Sequence, residues 1–237
     1  MAKIPVLEIF GPTIQGEGRV VGRKTMFVRT AGCDFRCSWC DSKFTWDGSM
    51  KDAIQMMTAD EIFESLKLIG GDCFNHVTIS GGNPALIKGL QSFVDLCHSQ
   101  NIKTALETQG SHFKPWMRQI DDLTISPKPP SSGMTHDLNI LDGVIDQCDE
   151  SKINLKVVIF DETDYQFAKI IHHRYPDLPF YLQVGNPYLD DQVEHHTSKL
   201  LSRYEWLIQL VMKSSDMNNV FVLPQLHTLV WSNQKGV

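Results

Sequence analysis

The feature that most constrains this chain is a cluster of cysteines early in the sequence. Cys33, Cys37 and Cys40 fall within one short segment at the spacing C-x3-C-x2-C. Closely spaced thiolates on one loop can bind a single soft-metal centre. Three thiolates can ligate three irons of a 4Fe–4S cluster and leave the fourth iron open, whereas electron-transfer clusters and structural zinc sites usually take four protein ligands. The spacing therefore predicts a cluster that binds a small molecule.

Two other interpretations of the three thiols stay open at this level. A zinc ion could take a distant fourth ligand such as Asp41 or His76, or the thiols could be unrelated to one another. Disulfides are not expected, because half of the 6 cysteines crowd one loop and the chain is large enough to need no cross-links. We expect the other three, Cys73, Cys97 and Cys148, to be small buried hydrophobes.

Composition favours one ordinary globular domain over residues 1–237. Hydrophobic residues make up 42% and charged residues 21%, which is enough for a normal core. The sequence has no apolar run that could cross a bilayer and no signal-peptide core, so we expect a cytoplasmic location and no membrane partner. The net charge of -6 argues against a nucleic-acid partner.

Hydrophobic periodicity alternates between strand and helix along most of the chain. Strands are predicted over residues 6–10, 25–30, 76–80, 103–107, 123–126, 155–160, 180–184 and 220–223. Helices are predicted over residues 58–68, 86–100, 138–148, 161–174 and 192–213, with weak helical character over 113–120. Repeated strand–helix units predict an α/β fold, a partial TIM-type barrel of parallel strands covered by helices. The histidine pairs at 172–173 and 195–196 are expected on helix surfaces, without a metal.

Small polar residues collect where the predicted strands end. These segments are Ser80–Pro84, Glu107–Gly110, Ser126–Pro130 and Pro224–His227, with Lys156 and Gln183 on further strands. Because parallel α/β folds bind ligands at the carboxyl ends of their strands, this pattern predicts one site there. A glycine-rich segment, Gly11–Gly18, is predicted to be a loop that lies close to a ligand, and Arg29 is expected to bind an anion. The loop 127–136 is a further candidate binding segment.

These residues resemble a known superfamily. The C-x3-C-x2-C motif, with Trp39 before its last cysteine, resembles the radical S-adenosylmethionine enzymes. The segment Ser80–Pro84 is similar to their GGE-P motif, although Asn83 stands where glutamate is usual. The wider set resembles the 7-carboxy-7-deazaguanine synthase family, through residues 14–18, 29, 32–33, 37–42, 80–82, 107–108, 126–128 and 225–227. The matches extend along nearly the whole chain.

This resemblance implies a radical S-adenosylmethionine lyase of 7-deazapurine (queuosine) biosynthesis. The substrate would be 6-carboxy-5,6,7,8-tetrahydropterin, which would lose a hydrogen from C6, contract its ring and release ammonia to give 7-carboxy-7-deazaguanine. The implied cofactors are a 4Fe–4S cluster, S-adenosylmethionine, regenerated after each turnover, and Mg²⁺. The implied partners are an electron donor such as flavodoxin and a second copy of the chain in a homodimer.

The resemblance also assigns roles to individual positions. The catalytic set comprises the cluster ligands Cys33, Cys37 and Cys40, together with Arg29. Cofactor binding is assigned to Gly82, Ser126, Pro127, Lys128 and Gln225. Pterin binding is assigned to Ile14, Gln15, Gly16, Glu17, Arg29, Ser80 and His227, and Mg²⁺ binding to Ser42. A guanidinium suits the substrate carboxylate, and a hydroxyl oxygen suits Mg²⁺.

Two rival functions share part of this evidence. A radical S-adenosylmethionine activase, which removes hydrogen from a partner protein, would have the cysteine triad without needing Arg29 and Ser42. A non-enzymatic zinc or cluster-binding module would need neither the cofactor nor the pterin residues.

Overall fold

The fold is built on a single sheet of nine strands. The computed structural model describes residues 2–189 and 194–237. The strands are β1 (Ile4–Ile14), β2 (Lys24–Thr30), β3 (Gln55–Met57), β4 (His76–Gly81), β5 (Lys103–Thr108), β6 (Asp122–Ile125), β7 (Ile153–Ile159), β8 (Phe180–Val184) and β9 (Val220–Leu223). They lie in the order β3-β1-β2-β4-β5-β6-β7-β8-β9. Along the part of this order that runs from β2 through β4 to β9, every pair of neighbouring strands is parallel. Strand β1 is antiparallel to both β2 and β3.

Six helices connect or follow these strands in the described part of the chain. They are α1 (Ala59–Gly70), α2 (Leu90–Ser99), α3 (Leu138–Ile145), α4 (Glu162–Arg174), α5 (His196–Met212) and α6 (Leu226–Trp231). The cap of α1 is the predicted one: the Thr58 side chain accepts from the Glu61 amide, and the Glu61 side chain accepts from the Thr58 amide. None of the described helices combines the length and apolar character that a bilayer span requires.

The main core lies between the sheet and the helices. Every residue of β7 is buried, as expected for a central parallel strand. Helices contribute fully buried side chains such as Ile62 and Leu66 of α1, Phe93 of α2 and Ile171 of α4. The terminal strands of the sheet order, β3 and β9, do not pair with each other. The predicted α/β class with an incomplete, mostly parallel barrel is therefore confirmed.

Several boundaries differ from the prediction. The first strand continues through Gly11 and Pro12, which were predicted to be loop, because its pairing with β2 shifts register between Phe10 and Thr13. Such a bulge accommodates a glycine, here at φ +117°, and a proline inside a strand. The helix predicted from residue 86 begins at Leu90, since Pro84–Leu86 form a separate 3-10 turn.

The remaining boundary differences are at short or terminal segments. The helix predicted over 138–148 ends at Ile145. The weakly helical stretch is a 3-10 turn at Pro115–Gln119. The strand β3 and the helix α6 were not predicted. The predicted start of α5 at residues 192–193 lies outside the described residues.

Two predictions about individual side chains are wrong. Cys73 is exposed rather than buried, because it follows the end of α1 in a surface turn, whereas Cys97 is buried and Cys148 half-buried. His172 and His196 are buried rather than on the surface. His172 lies on the inner face of α4, with its ring edge-on to Phe180 of β8, so this histidine belongs to the core.

Candidate active site

The parallel strands end at a single cavity of about 530 Å³. Its wall contains nearly all of the predicted site residues: Ile14, Gln15, Gly16, Glu17, Arg29, Cys33, Cys37, Cys40, Ser42, Ser80, Gly82, Ser126, Lys128, Gln225 and His227. Only Pro127 of the predicted set is absent from this wall; it is buried between two residues that line the cavity. The fold thus brings together residues from both ends of the sequence.

The three cysteine thiols of the motif share one side of this cavity. All three are free thiols, and Cys37 is buried while Cys33 and Cys40 are half-buried. Burial is the main cause that raises the pKa of each thiol, to about 11 for Cys37. Free thiols here hold their protons at neutral pH, so a metal centre must displace them to bind. Three soft donors at one wall fit a 4Fe–4S cluster with one open iron.

The loop over residues 127–136 holds the cysteine segment in place. The Ser38 amide donates to the Ser132 carbonyl (2.9 Å), and the Trp39 indole N–H donates to Ser131 Oγ (2.9 Å). Ser131 in turn donates its hydroxyl to Asp164 Oδ2 (2.6 Å), which lies at the start of α4. The cysteine loop is therefore anchored through a buried carboxylate, and this explains why so irregular a loop is ordered.

The glycines after β4 meet the cysteine segment directly. A methyl group at Gly82 would overlap the carbonyl oxygen of Gly32, and the amide of the next residue, Asn83, donates to that same oxygen (2.8 Å). The glycine at position 82 is thus required for two backbones to lie against each other at the cavity wall.

Asn83, which replaces the usual glutamate, is completely buried and fully hydrogen-bonded. Its Nδ2 donates to Asp34 Oδ1 (2.9 Å) and Ser111 Oγ (3.0 Å). Its Oδ1 accepts from Thr108 Oγ1 (2.8 Å) and from the Ala85 amide (3.2 Å). A glutamate would place a second carboxylate beside Asp34. The amide at position 83 and the carboxylate at position 34 are therefore complementary in this chain.

Arg29 lies at the end of β2 with its guanidinium fixed on several sides. Its Nε is 2.8 Å from Glu8 Oε2, and its Nη1 donates to Ser42 Oγ (3.1 Å). The rings of Phe10 and Phe44 lie 5.5 and 5.4 Å from the guanidinium carbon. This aromatic and ionic support gives the arginine one orientation at the cavity wall.

Oxygen donors gather beside this arginine. The Ser42 hydroxyl donates to Asp41 Oδ1 (2.7 Å). Asp41, Glu17 and His227 bring one potential metal-ligating atom each to within 4.8 Å of one another. Hard cations such as Mg²⁺ prefer oxygen donors to the His227 nitrogen, and the Ser42 hydroxyl with the Asp41 carboxylate supplies such oxygens, so the surroundings of Ser42 fit that ion.

A network of charged and amide side chains forms another part of the cavity wall. The Lys156 ammonium forms ion pairs with Glu17 and, at 3.7 Å, with Glu107 Oε2. The Gln225 amide donates to Glu17 Oε1 (2.8 Å), and the Gln15 amide donates to Glu107 Oε1 (2.9 Å). Gln225, predicted to bind the cofactor, is therefore part of the carboxylate network.

The protonation states in this network follow from its charges. Burial raises the pKa of Glu17, but the neighbouring Lys156 and His227 outweigh it and lower that pKa to about 2. Burial lowers the pKa of Lys156, but Glu107 and Glu17 outweigh it and raise that pKa above its usual value. Glu17 and Lys156 are therefore both charged at neutral pH. The sequence analysis noted Glu107 and Lys156 as strand-end residues, and Glu107 also among those that match the family, but it gave neither of them a role.

Comparison with known proteins identifies the family of the chain that has this site. The chain is 59% identical to the 7-carboxy-7-deazaguanine synthase of Bacillus subtilis and 55% identical to that of Bacillus cereus, each over 100% of both chains. The chain belongs to the 7-carboxy-7-deazaguanine synthase family. The predicted family is thereby confirmed.

Two further comparisons concern the superfamily profile and the fold. Residues 27–129, which include the cysteine motif and Asn83, match the profile of the Radical SAM superfamily. The crystal structure of QueE from Escherichia coli superposes with a TM-score of 0.69 at 22% identity over 95% of both chains, a likeness that shows the fold alone.

Proposed function

We propose that this chain converts 6-carboxy-5,6,7,8-tetrahydropterin to 7-carboxy-7-deazaguanine with loss of ammonia, as a radical S-adenosylmethionine lyase of 7-deazapurine (queuosine) biosynthesis. The observation that carries this proposal is that one cavity combines the three thiols with Arg29 and a pair of carboxylates. The full-length identity with two synthases supports it independently. A single functional domain over residues 1–237 is part of the proposal, and the continuous sheet supports it.

The cofactors are assigned to the cysteine side of the cavity. Cys33, Cys37 and Cys40 would hold the 4Fe–4S cluster. Gly82 and the segment 126–128 would hold S-adenosylmethionine, since the backbone at Gly82 lies against the cysteine segment and Lys128 Nζ donates to Ser126 Oγ (3.2 Å). When bound there, the cluster and S-adenosylmethionine would supply the one-electron chemistry for hydrogen abstraction from the substrate, and these residues would hold both groups.

The substrate is assigned to the remaining walls. Arg29 would bind the pterin carboxylate, because a guanidinium held by Glu8 and two aromatic rings pairs well with a planar anion. Ser42 would ligate Mg²⁺ beside it. The polar ring would be bound by the remaining predicted residues Ile14, Gln15, Gly16, Glu17, Ser80 and His227, to which we add Glu107.

The protein's own part in this chemistry is positioning and shielding. A carbon radical abstracts hydrogen from most C–H bonds, so the site must hold C6 in contact with the radical and exclude other donors. Arg29 would hold the substrate at its carboxylate, and Glu17 and Glu107 would hold it at its ring. Contacts at both ends would fix the orientation of the substrate in the cavity. The stacked rings of Trp39 and Phe160, 4.9 Å apart, help to close the cysteine side of the cavity.

We further propose a one-electron donor such as flavodoxin, a homodimeric assembly and a cytoplasmic location. These three proposals rest on the family resemblance.

The test is turnover by the anaerobically reconstituted protein. Iron, sulfide, S-adenosylmethionine, Mg²⁺ and a reductant are supplied, and mass spectrometry follows the carboxypterin. We expect 7-carboxy-7-deazaguanine to form, and Arg29→Ala to lower kcat/KM by about 100-fold or more because a charge-assisted contact is lost. Arg118→Ala, at an exposed arginine that donates to the Gln147 carbonyl, is the matched control and should keep full activity.

The rival functions give different results. Unchanged pterin in a protein that binds the cluster would refute the substrate assignment. Turnover that is insensitive to Arg29→Ala would refute the role of the arginine. Zinc without iron or sulfide after anaerobic purification would point to a metal-binding module.

A further inference from the structure

The molecule buries one ammonium group to which neither sequence nor family assigns a role. Lys156 is on β7, and only 4% of its side chain is exposed. It nevertheless reaches the cavity wall, where it contacts two carboxylates that come from distant parts of the chain. A buried charge is costly unless it is paired, so the lysine and its carboxylates depend on one another.

The pairing is symmetrical and leaves an excess of negative charge. Each carboxylate has one oxygen at Lys156 and the other at a glutamine amide, with Gln225 on Glu17 and Gln15 on Glu107. Two carboxylates and one ammonium leave a net charge of -1 in this part of the wall. Each carboxylate oxygen still has a lone pair beyond the bond that orients it, so the group can accept further hydrogen bonds.

The anionic group and Arg29 contribute opposite charges to the same cavity. Arg29 is on β2 and Lys156 on β7, and three strands, β4, β5 and β6, lie between them in the sheet. Asp41 links the two, since it lies near Glu17 and accepts from the Ser42 hydroxyl. A substrate with both a carboxylate and a row of N–H donors matches a cavity that offers both charges. The aminopyrimidinone edge of a pterin is such a row of N–H donors.

We propose that Lys156 is a positioning residue of the pterin site, which holds Glu17 and Glu107 in place as hydrogen-bond acceptors for the N–H groups of the substrate ring. This inference rests on the proposed function. Lys156 acts through the two carboxylates and does not itself contact the reacting atoms. If the ammonium were removed, two partly buried carboxylates would repel each other without a compensating charge and would lose the contact that holds them in place.

The variant Lys156→Met tests this role, with Lys152→Met as the matched control. Lys152 is half-buried, lies just before β7 and donates from its ammonium to the Arg118 carbonyl (3.3 Å). The reconstituted proteins, with S-adenosylmethionine present and no reductant, are dialysed against carboxypterin at several values between pH 5.5 and 8.5. Iron content, S-adenosylmethionine affinity and Tm are measured on the same samples.

We expect a selective loss of substrate affinity. In the wild type and Lys152→Met, the Lys156 ammonium pairs with both carboxylates and keeps them in place. In Lys156→Met the two carboxylates lose this common partner and no longer face the substrate ring together. The Kd for carboxypterin should therefore rise about 100-fold at pH 7.5.

The other outcomes overturn the proposal. A Kd equal to that of the wild type at every pH would remove the positioning role. An equal loss of S-adenosylmethionine affinity would show that the lysine only supports the fold. If Lys156→Met does not fold, Lys156→Gln, which keeps a donor without the charge, carries the same test, and failure of both to fold would make the lysine structural. A wild-type protein that does not bind carboxypterin would instead refute the proposed function.

Discussion

The hydrogen-bond network of Asn83 allows a quantitative test of why this chain lacks the usual glutamate. The variant Asn83→Asp keeps the shape of the side chain but turns the donor that faces Asp34 Oδ1 at 2.9 Å into a second anion. At an effective dielectric constant of about 20, two unit charges at that distance repel by about 6 kcal/mol. Exposure of Asp34, whose side chain is 24% accessible, reduces this repulsion, and complete burial at position 83 adds desolvation.

Protonation limits the cost. Keeping a carboxyl protonated at pH 7, about three units above its ordinary pKa, costs about 4 kcal/mol. This cost of protonation is smaller than the charge repulsion and the desolvation together, so the pair of carboxyl groups takes up one proton. We expect the free energy of unfolding at pH 7 to fall by about 4 kcal/mol. Because the folded-state pKa of the introduced carboxyl is raised, the loss is absent below its unfolded pKa and grows by about 1.4 kcal/mol per pH unit above it.

Urea unfolding of the cluster-free chain under reducing conditions, between pH 4.5 and 8, measures this dependence. The double variant Asp34→Asn/Asn83→Asp exchanges the two groups and, after the Gln109 amide turns over, restores a donor opposite the carboxylate. It should recover more than half of the lost stability at pH 7. A single variant with a pH-independent loss, or a double variant less stable than both single ones, would refute the electrostatic explanation.

Two other predictions concern the cysteine side of the cavity. Cys37→Ala should abolish cluster binding, measured as loss of the brown colour and of bound sulfide after reconstitution. Cys73→Ala is the control and should retain both, because that thiol is exposed outside the cavity. Equal iron content in the two variants would contradict the assignment. Gly82→Ala should cost at least about 2 kcal/mol of stability, since the added methyl overlaps backbone. Gly143→Ala, in a helix with open space around it, should instead stabilise the chain by up to about 1 kcal/mol, and a loss there in thermal unfolding would contradict the reasoning.

Much of the fold was predictable because its signals are local. Alternation of strand and helix periodicity located the parallel strands and the long helices, and the cap at Thr58 fixed the start of α1. The strand β3 has only three residues and the helix α6 only six, so neither gives a clear period. The glycine and proline at 11–12 signal a loop in sequence, but pairing with β2 overrides that signal.

The sequence predicted which residues line the site but not which of them bond to one another. Polar residues at strand ends identified the cavity wall, because parallel strands all end at one edge. What the sequence could not give is which of these residues pair. The contact of Lys156 with Glu17 joins positions 139 apart, and that of Asn83 with Asp34 joins positions 49 apart. Such pairings depend on the curvature of the sheet.

The network that joins Glu17 to Gln225 has a consequence for how the protein becomes active. These residues lie 208 positions apart, and the Leu226 amide also donates to the Gly16 carbonyl. Closing a loop of this length costs conformational entropy, which contacts across the rest of the sheet must offset. The wall of the pocket is therefore complete only when both of these distant segments are folded together. A chain whose synthesis has not yet reached Gln225 lacks this part of the pocket wall, so it cannot hold the pterin as the full chain does.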